Sequence, residues 1–152
     1  MIKIIAAIGD NRELGYMNDL PWPVIVEDMK QFMLNTMKDT LIMGRLTWDS
    51  LDSTPLPGRT MVVISRKKLK MPKGHFWYSS PEEAMRKHPD AWVIGGSSLF
   101  AHALPIAKEM LISYIYGTFN ADVYFPKWEK EDWEIVAEEY FDEFRQVHYV
   151  KR

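Results

Sequence analysis

A chain of 152 residues and 17.9 kDa fits one domain spanning 1–152, and its 47% hydrophobic content is enough for a sizeable core. Nineteen basic against 21 acidic residues leave a net charge of −2, which excludes intrinsic disorder and argues against a nucleic-acid coat or a polybasic membrane binder. The absence of cysteine removes disulfides, zinc ribbons, thiol nucleophiles and iron–sulfur clusters, and no apolar run approaches the ~18 residues that span a bilayer.

The start, Met1-Ile2-Lys3-Ile4-Ile5, has no basic segment followed by a long apolar one, so no signal peptide is expected and the location read is cytoplasmic. Ile2–Ile8 is a nearly continuous apolar run ending at Gly9-Asp10-Asn11, the pattern of a buried first strand. Glu13–Pro23 reads as a polar loop. Over Val24–Met37, apolar residues at Ile25, Met29, Phe32, Met33 and Met37 have helical spacing. Thr40–Met43 is a second buried strand, Thr47–Leu51 a short helix, Asp52–Arg59 a Pro- and Gly-rich loop, and Thr60–Ser65 a third strand. Phe76–Tyr78 is a fourth, and Pro81–Lys87 is a helix with proline in its first turn. Ala91–Ile94 (strand), Ser97–Leu104 (helix) and Met110–Tyr116 (strand) follow. Trp133–Tyr140 and Phe144–Val150 alternate apolar and polar residues, predicting a closing antiparallel hairpin around Asp142-Glu143 with one face solvated. This alternation of strands and helices is the signature of an α/β sheet protein.

Four constellations carry chemistry. In Ile94-Gly95-Gly96-Ser97-Ser98 a buried strand runs through two glycines into a helix, where backbone N–H groups and the helix dipole would cradle a phosphate. Met43-Gly44-Arg45-Leu46-Thr47 repeats that logic, and two such turns could hold the two halves of a dinucleotide. Ser65-Arg66-Lys67-Lys68 follows the third strand, where dinucleotide folds that prefer NADH keep an acid; a hydroxyl and three cations suit a 2′-phosphate and hence NADPH. Taken singly, each is also the pattern of an ordinary turn or a solvated basic loop. The fourth is Glu27-Asp28. Asp28 shares its helix face with Ile25 and Phe32, whereas Glu27 faces Lys30 and Gln31, so periodicity pushes Asp28 alone into an apolar setting, where it needs a partner. A carboxylate favoured by a helix N-terminus is the alternative there. His75, His88, His102 and His148 lack metal-ligand spacing and read as surface or structural, so no metal is expected.

Ile5-Ala6-Ala7, Gly15 to Leu20-Pro21-Trp22, Asp28 with Phe32, Ile42-Met43-Gly44-Arg45-x-Thr47-Trp48, Leu56-Pro57-Gly58-Arg59, Val93-Ile94-Gly95-Gly96 and Phe125-Pro126 occur in one order along the chain. Together they resemble the dihydrofolate reductase family over essentially the whole sequence. The resemblance implies a single-domain α/β fold: a mixed, mostly parallel twisted sheet of about eight strands flanked by helices. It implies NADPH-dependent reduction of 7,8-dihydrofolate to tetrahydrofolate, and inhibition by 2,4-diaminopyrimidine antifolates. Asp28 would anchor the pterin and promote N5 protonation, with Trp22 and Leu20 in the loop that closes on the nicotinamide. Ile5, Phe32, Leu51, Leu56, Ile94 and Phe100 would line the substrate site, and Arg59 would grip the glutamate α-carboxylate. Ala7, Gly15, Gly44, Arg45, Thr47, Gly95, Gly96, Ser97 and Ser98 would hold the cofactor, with Ser65 and Arg66 at its 2′-phosphate. Position 100 is Phe where the family often has Tyr, position 20 is Leu where Met is common, and Ala121 stands at a familiar Gly. A monomer is the expected state. The alternatives are a non-catalytic nucleotide- or protein-binding module on the same fold, or an NADPH reductase relative of the riboflavin pathway.

Overall fold

The computed structural model describes residues 1–152. Ten strands and four α-helices follow one another: β1 Lys3–Ile8, β2 Glu13–Gly15, α1 Val26–Asn35, β3 Thr40–Gly44, α2 Arg45–Ser50, β4 Thr60–Ile64, β5 Phe76–Tyr78, α3 Pro81–Lys87, β6 Trp92–Gly95, α4 Ser97–Ala103, β7 Glu109–Ile115, β8 Val123–Tyr124, β9 Trp133–Tyr140 and β10 Phe144–Lys151. Eight strands form one sheet in the order β5-β4-β3-β6-β1-β7-β10-β9. Its pairs are parallel from β5 through β7 and antiparallel from β7 to β10 and β9. This is the mixed, mostly parallel sheet with a closing C-terminal hairpin that the sequence predicts.

The strands at the centre have apolar side chains on both sides because both faces are covered. Ile4, Ala6 and Ile8 of β1 point into a core with Ala84 and Met85 of α3 and Leu99, Phe100 and Ala103 of α4. Ile5 points to the other face, among Leu41, Met43, Met61, Val63 and Leu111, where Trp48 of α2 and Phe32 of α1 close over it. The strand period of two therefore delivers alternate residues of β1 to two different layers. No helix is long and apolar enough to cross a membrane.

The structure corrects the sequence reading in four places. The polar loop from Glu13 contains β2, which pairs antiparallel with β8 in a small second sheet. Segments of two and three residues are too short to show a period. The predicted helix Val24–Met37 is shorter, running Val26–Asn35, and Met29 and Met37 are exposed although the spacing places them on the apolar face. It has no fully buried residue of its own and docks on the sheet face through Phe32. Helix α2 begins at Arg45 rather than Thr47. In the hairpin, only Trp133 of β9 is buried, and Ile135 and Val136 are exposed on opposite sides. As the edge strand, β9 lies beyond the layers that cover β7, so both of its faces meet solvent.

Candidate active site

The site is assembled on the β1 face that carries Ile5 and Ala7. Strand β7 lies parallel beside β1, pairing Ile5 with Leu111 and Ala7 with Ser113. Asp28, in the first turn of α1, lies over this pair of strands. Burial pushes its carboxyl above the ordinary value of 3.8, and the nearby Ser113 side chain pulls it partly back. Glu27 instead accepts a hydrogen bond from Gln31 at 3.2 Å, on the polar side expected for it. Ser113 is a buried hydroxyl that the sequence reading missed. The signal was there: one polar residue inside the apolar run Met110-Leu111-Ile112-Ser113-Tyr114-Ile115.

Around Asp28 the predicted apolar residues come together. Phe32, Leu51, Leu56 and Ile94 all pack, partly buried, on the cluster that contains Ile5. Trp22 is buried beside Ile25, Ile115 and Phe144, with Ala7 packed against the same group. Leu20, on the loop between β2 and α1, is exposed. That loop is tied to the segment before β8: Met17 N–H donates to Asp122 at 3.0 Å, and Asp122 N–H donates to the Gly15 carbonyl at 3.0 Å.

Arg59 is 8% exposed, and each of its guanidinium nitrogens has a partner. Nε donates to the Thr36 hydroxyl at 3.3 Å, and the two terminal nitrogens donate to the carbonyls of Pro57 and Met33. Met33 and Thr36 belong to the C-terminal end of α1, where free carbonyls and the helix dipole favour a cation. The fork is thus fixed in direction before any ligand arrives.

The two strand–glycine–helix turns are neighbours. Strand β3 pairs with β6, Met43 opposite Gly95. A Cβ on Gly44 would lie 3.8 Å from the Gly95 carbonyl, and one on Gly95 would lie 3.4 Å from the Thr47 hydroxyl and 3.7 Å from the Phe100 ring. Gly95 has φ +135°, open to glycine and rarely to other residues, and its peptide to Gly96 is cis. A Cβ on Gly96 would meet nothing within 4 Å. Helices α2 and α4 start here, after Gly44 and Gly96, with no side chain capping their first N–H groups. By contrast, Ser80 caps α3 by accepting from Glu83 N–H at 3.0 Å. Ser97 and Ser98 are the first residues of α4. Arg45, at the start of α2, is held to Asp49 at 3.2 Å on the surface. Ser65 follows β4 and accepts from Lys67 N–H at 3.2 Å; Arg66 is exposed beside it. Phe100 is fully buried in the core on the other side of the sheet from Ile5, its ring 4.9 Å from that of Phe125 and its edge near Gly95.

Comparison with known proteins gives one answer along the whole chain. The family model described as dihydrofolate reductase matches residues 1–151. The chain is 33% identical to a dihydrofolate reductase of Buchnera aphidicola (strain Sg) over 152 residues, covering 97% of this chain and 89% of that protein. It is 43% identical to the Mycobacterium tuberculosis enzyme of the same name over 117 residues, 76% of this chain and 71% of that one. Among solved structures, a dihydrofolate reductase from Enterococcus faecalis complexed with NADP(H) and RAB-propyl superimposes with a TM-score of 0.89 at 26% identity, covering 100% of this chain and 96% of that one. Sequence, fold and the grouping of residues around Asp28 agree: the chain belongs to the dihydrofolate reductase family, a family of oxidoreductases.

Proposed function

We propose that residues 1–152 act as one catalytic domain that reduces 7,8-dihydrofolate to 5,6,7,8-tetrahydrofolate with NADPH, hydride going to C6 of the pterin and a proton to N5. The observation that carries this reading is Asp28, a half-buried carboxylate in the first turn of α1, beside Ser113 and one turn before Phe32. Phe32, one turn further along α1, packs with Ile5 and Ile94 to give a flat ring an apolar wall. In that setting the carboxylate accepts from the pterin 2-amino group and N3–H, and its charge favours protonation at N5. Leu51 and Leu56 border the aminobenzoyl part, and the Arg59 fork meets the glutamate α-carboxylate. The presence of Asp28, Phe32 and Arg59 together disfavours a riboflavin-pathway relative, whose substrate half would differ.

The residues present fit NADPH. Two uncapped helix N-termini stand side by side after Gly44 and Gly96, with open ground over Gly96. Gly44, Arg45, Thr47, Gly95, Gly96, Ser97 and Ser98 would hold its phosphates, Ser65 and Arg66 the 2′-phosphate, and the Ala7 backbone the carboxamide. The bound cofactor supplies the hydride. Leu20 and Trp22, on the loop following Gly15, exclude water from the reacting ring. A protonated 2,4-diaminopyrimidine would pair with Asp28 in place of the pterin.

The test is absorbance at 340 nm with NADPH and dihydrofolate, singly and together. Loss of signal only with both supports reduction; no loss would leave a binding module. In Asp28→Asn, turnover at pH 7 should fall about 10²–10⁴-fold and partly recover in acid, where the substrate arrives protonated. Full activity in that variant, with Glu27→Gln crippled instead, would overturn the assignment.

A further inference from the structure

Glu13 takes no part in the chemistry above, yet it is the one carboxylate side chain in the fully buried set, 1% exposed. Both its oxygens are used. Oε1 accepts from the Asn11 backbone N–H, and Oε2 accepts from the Phe119 backbone N–H at 2.9 Å, across 106 positions of sequence. Its seat exists because position 9 is glycine: a Cβ there would lie 2.8–2.9 Å from the Glu13 carboxyl atoms. Phe119 in turn sets its ring edge-on against the indole of Trp22, centroids 5.3 Å apart at 61°. The ring also lies over Gly117, where a Cβ would come within 3.1 Å of it. Trp22 packs on Ile25, the residue immediately before α1, and α1 carries Asp28. One line of contacts therefore runs from Glu13 through Phe119 and Trp22 to the helix of the catalytic acid.

We propose that Glu13 is a positioning residue for the reduction: its carboxylate fastens the segment between β7 and β8 to the turn after β1, and through the Phe119 ring it seats Trp22 over the site. This rests on the reductase reading given above. A carboxylate is the side chain for this place because it only accepts, and it faces two donors on opposite oxygens. A charge that deeply buried must keep both bonds, which are the stronger for being ionic. Glutamine, of the same shape, has one accepting oxygen and one NH2, so it must turn a donor toward one of the two amides and break that end. Gly9→Ala makes the converse change: the carboxylate stays in the chain but is pushed off its seat.

The experiment uses the full chain with NADPH and dihydrofolate. In Glu13→Gln, hydrogen exchange at the Phe119 or the Asn11 amide, whichever the glutamine NH2 faces, should speed up at least about tenfold while amides of β1 and β7 keep their protection. Single-turnover hydride transfer should slow by about 5–10-fold with Kd for both ligands moving less than about threefold, the mark of lost orientation rather than lost binding. Phe119→Ala, which keeps the backbone bond to Glu13 but removes the ring, should slow transfer as much. The double variant should lose no more than the worse single, because both cut one line. Gly9→Ala should reproduce Glu13→Gln and add little to it, and it serves as the probe where Glu13→Gln folds poorly. An active wild type whose folded variants transfer hydride at its own rate, or whose losses simply add, overturns the positioning role alone. A wild type that consumes no NADPH overturns this role and the reductase reading together.

Discussion

Ser113 of β7 faces the carboxylate of Asp28 on α1, and its side chain opposes the rise that burial imposes on the carboxyl pKa. The neighbour of the Asp28 carboxylate therefore comes from the strand beneath it, opposite Ala7 in the parallel register. Ser113→Ala removes the lowering influence and leaves the desolvation. The Asp28 carboxyl should titrate higher still, observable in the ¹³C carboxyl shift across a pH series. A downward shift, or none, would mean that Ser113 does not reach the carboxylate in solution.

Asp28 should also cost the apoprotein stability. Its folded pKa lies above the ordinary 3.8, so between those two values the folded state binds more protons than the unfolded chain. Stability then falls as pH rises through that window and stays lower above it. Asp28→Asn carries no charge to desolvate. It should be more stable than wild type at pH 7, seen as a higher Tm and a higher urea midpoint. The gain should shrink as pH falls through that window and vanish well below 3.8, where Asp28 is neutral in both states. Urea titrations at pH 7 and pH 5 check the sign; a less stable Asp28→Asn at neutral pH would contradict it.

Arg59 separates anchoring from architecture. Its three bonds to Thr36, Met33 and Pro57 need the planar fork, and lysine keeps the charge without it. Arg59→Lys should raise the KM for dihydrofolate about 10–100-fold, as expected for one charged hydrogen bond worth ~1.5–3 kcal/mol, with kcat little changed. A pterin without the glutamate tail should barely notice the change. Equal losses for both substrates would assign Arg59 wholly to holding the end of α1.

How much of this was legible in the sequence depended on length and period. Runs of five to eight residues, such as Lys3–Ile8 and Glu109–Ile115, declare themselves as strands, and helix spacing alone singles out Asp28 from Glu27. Val123–Tyr124 and Glu13–Gly15 are too short for any period, and their pairing exists only because the chain brings distant loops together. Glu13 looked like a polar loop residue because nothing local says that Phe119 will donate to it from 106 positions away. One solvated face was expected for Trp133–Tyr140, yet Ile135 and Val136 are both exposed, because alternation reports a strand but not whether a layer covers it.

The paired glycines allow fold and ligand to be told apart. Gly95 at φ +135° is strained by any side chain, at about 1–3 kcal/mol, so Gly95→Ala should lower Tm as well as weaken NADPH binding. Gly96 has φ −90° and open space where its Cβ would go. Gly96→Ala should leave the melting temperature close to wild type and still raise the NADPH Kd, because the methyl fills ground meant for a phosphate. Kd from quenching of tryptophan fluorescence, set beside thermal melts, decides it. A Gly96→Ala protein that binds NADPH as wild type does would move the phosphate site elsewhere.

Cofactor choice turns on the end of β4. Ser65 is fixed there, its carbonyl accepting from Trp77 Nε1 at 3.1 Å, and Arg66 stands exposed next to it. A 2′-phosphate carries nearly two negative charges and would draw on both, whereas NADH brings no partner for Arg66. Charged hydrogen bonds are worth ~1.5–3 kcal/mol each, and solvent discounts them at an exposed site. Two of them should therefore favour NADPH over NADH by about 10²-fold in kcat/KM, at ~1.4 kcal/mol per decade. Arg66→Ala should erode that preference by weakening NADPH and leaving NADH nearly untouched. The preference should also narrow as ionic strength rises about tenfold, because exposed pairs are screened beyond ~10 Å at ~0.1 M. Measuring kcat/KM for both cofactors in wild type and Arg66→Ala gives the answer. Equal use of NADH by wild type, or equal damage to both cofactors by the substitution, would reduce Ser65-Arg66 to a solvated turn and send the search for the 2′-phosphate partner to Arg45, whose bond to Asp49 would then have to open.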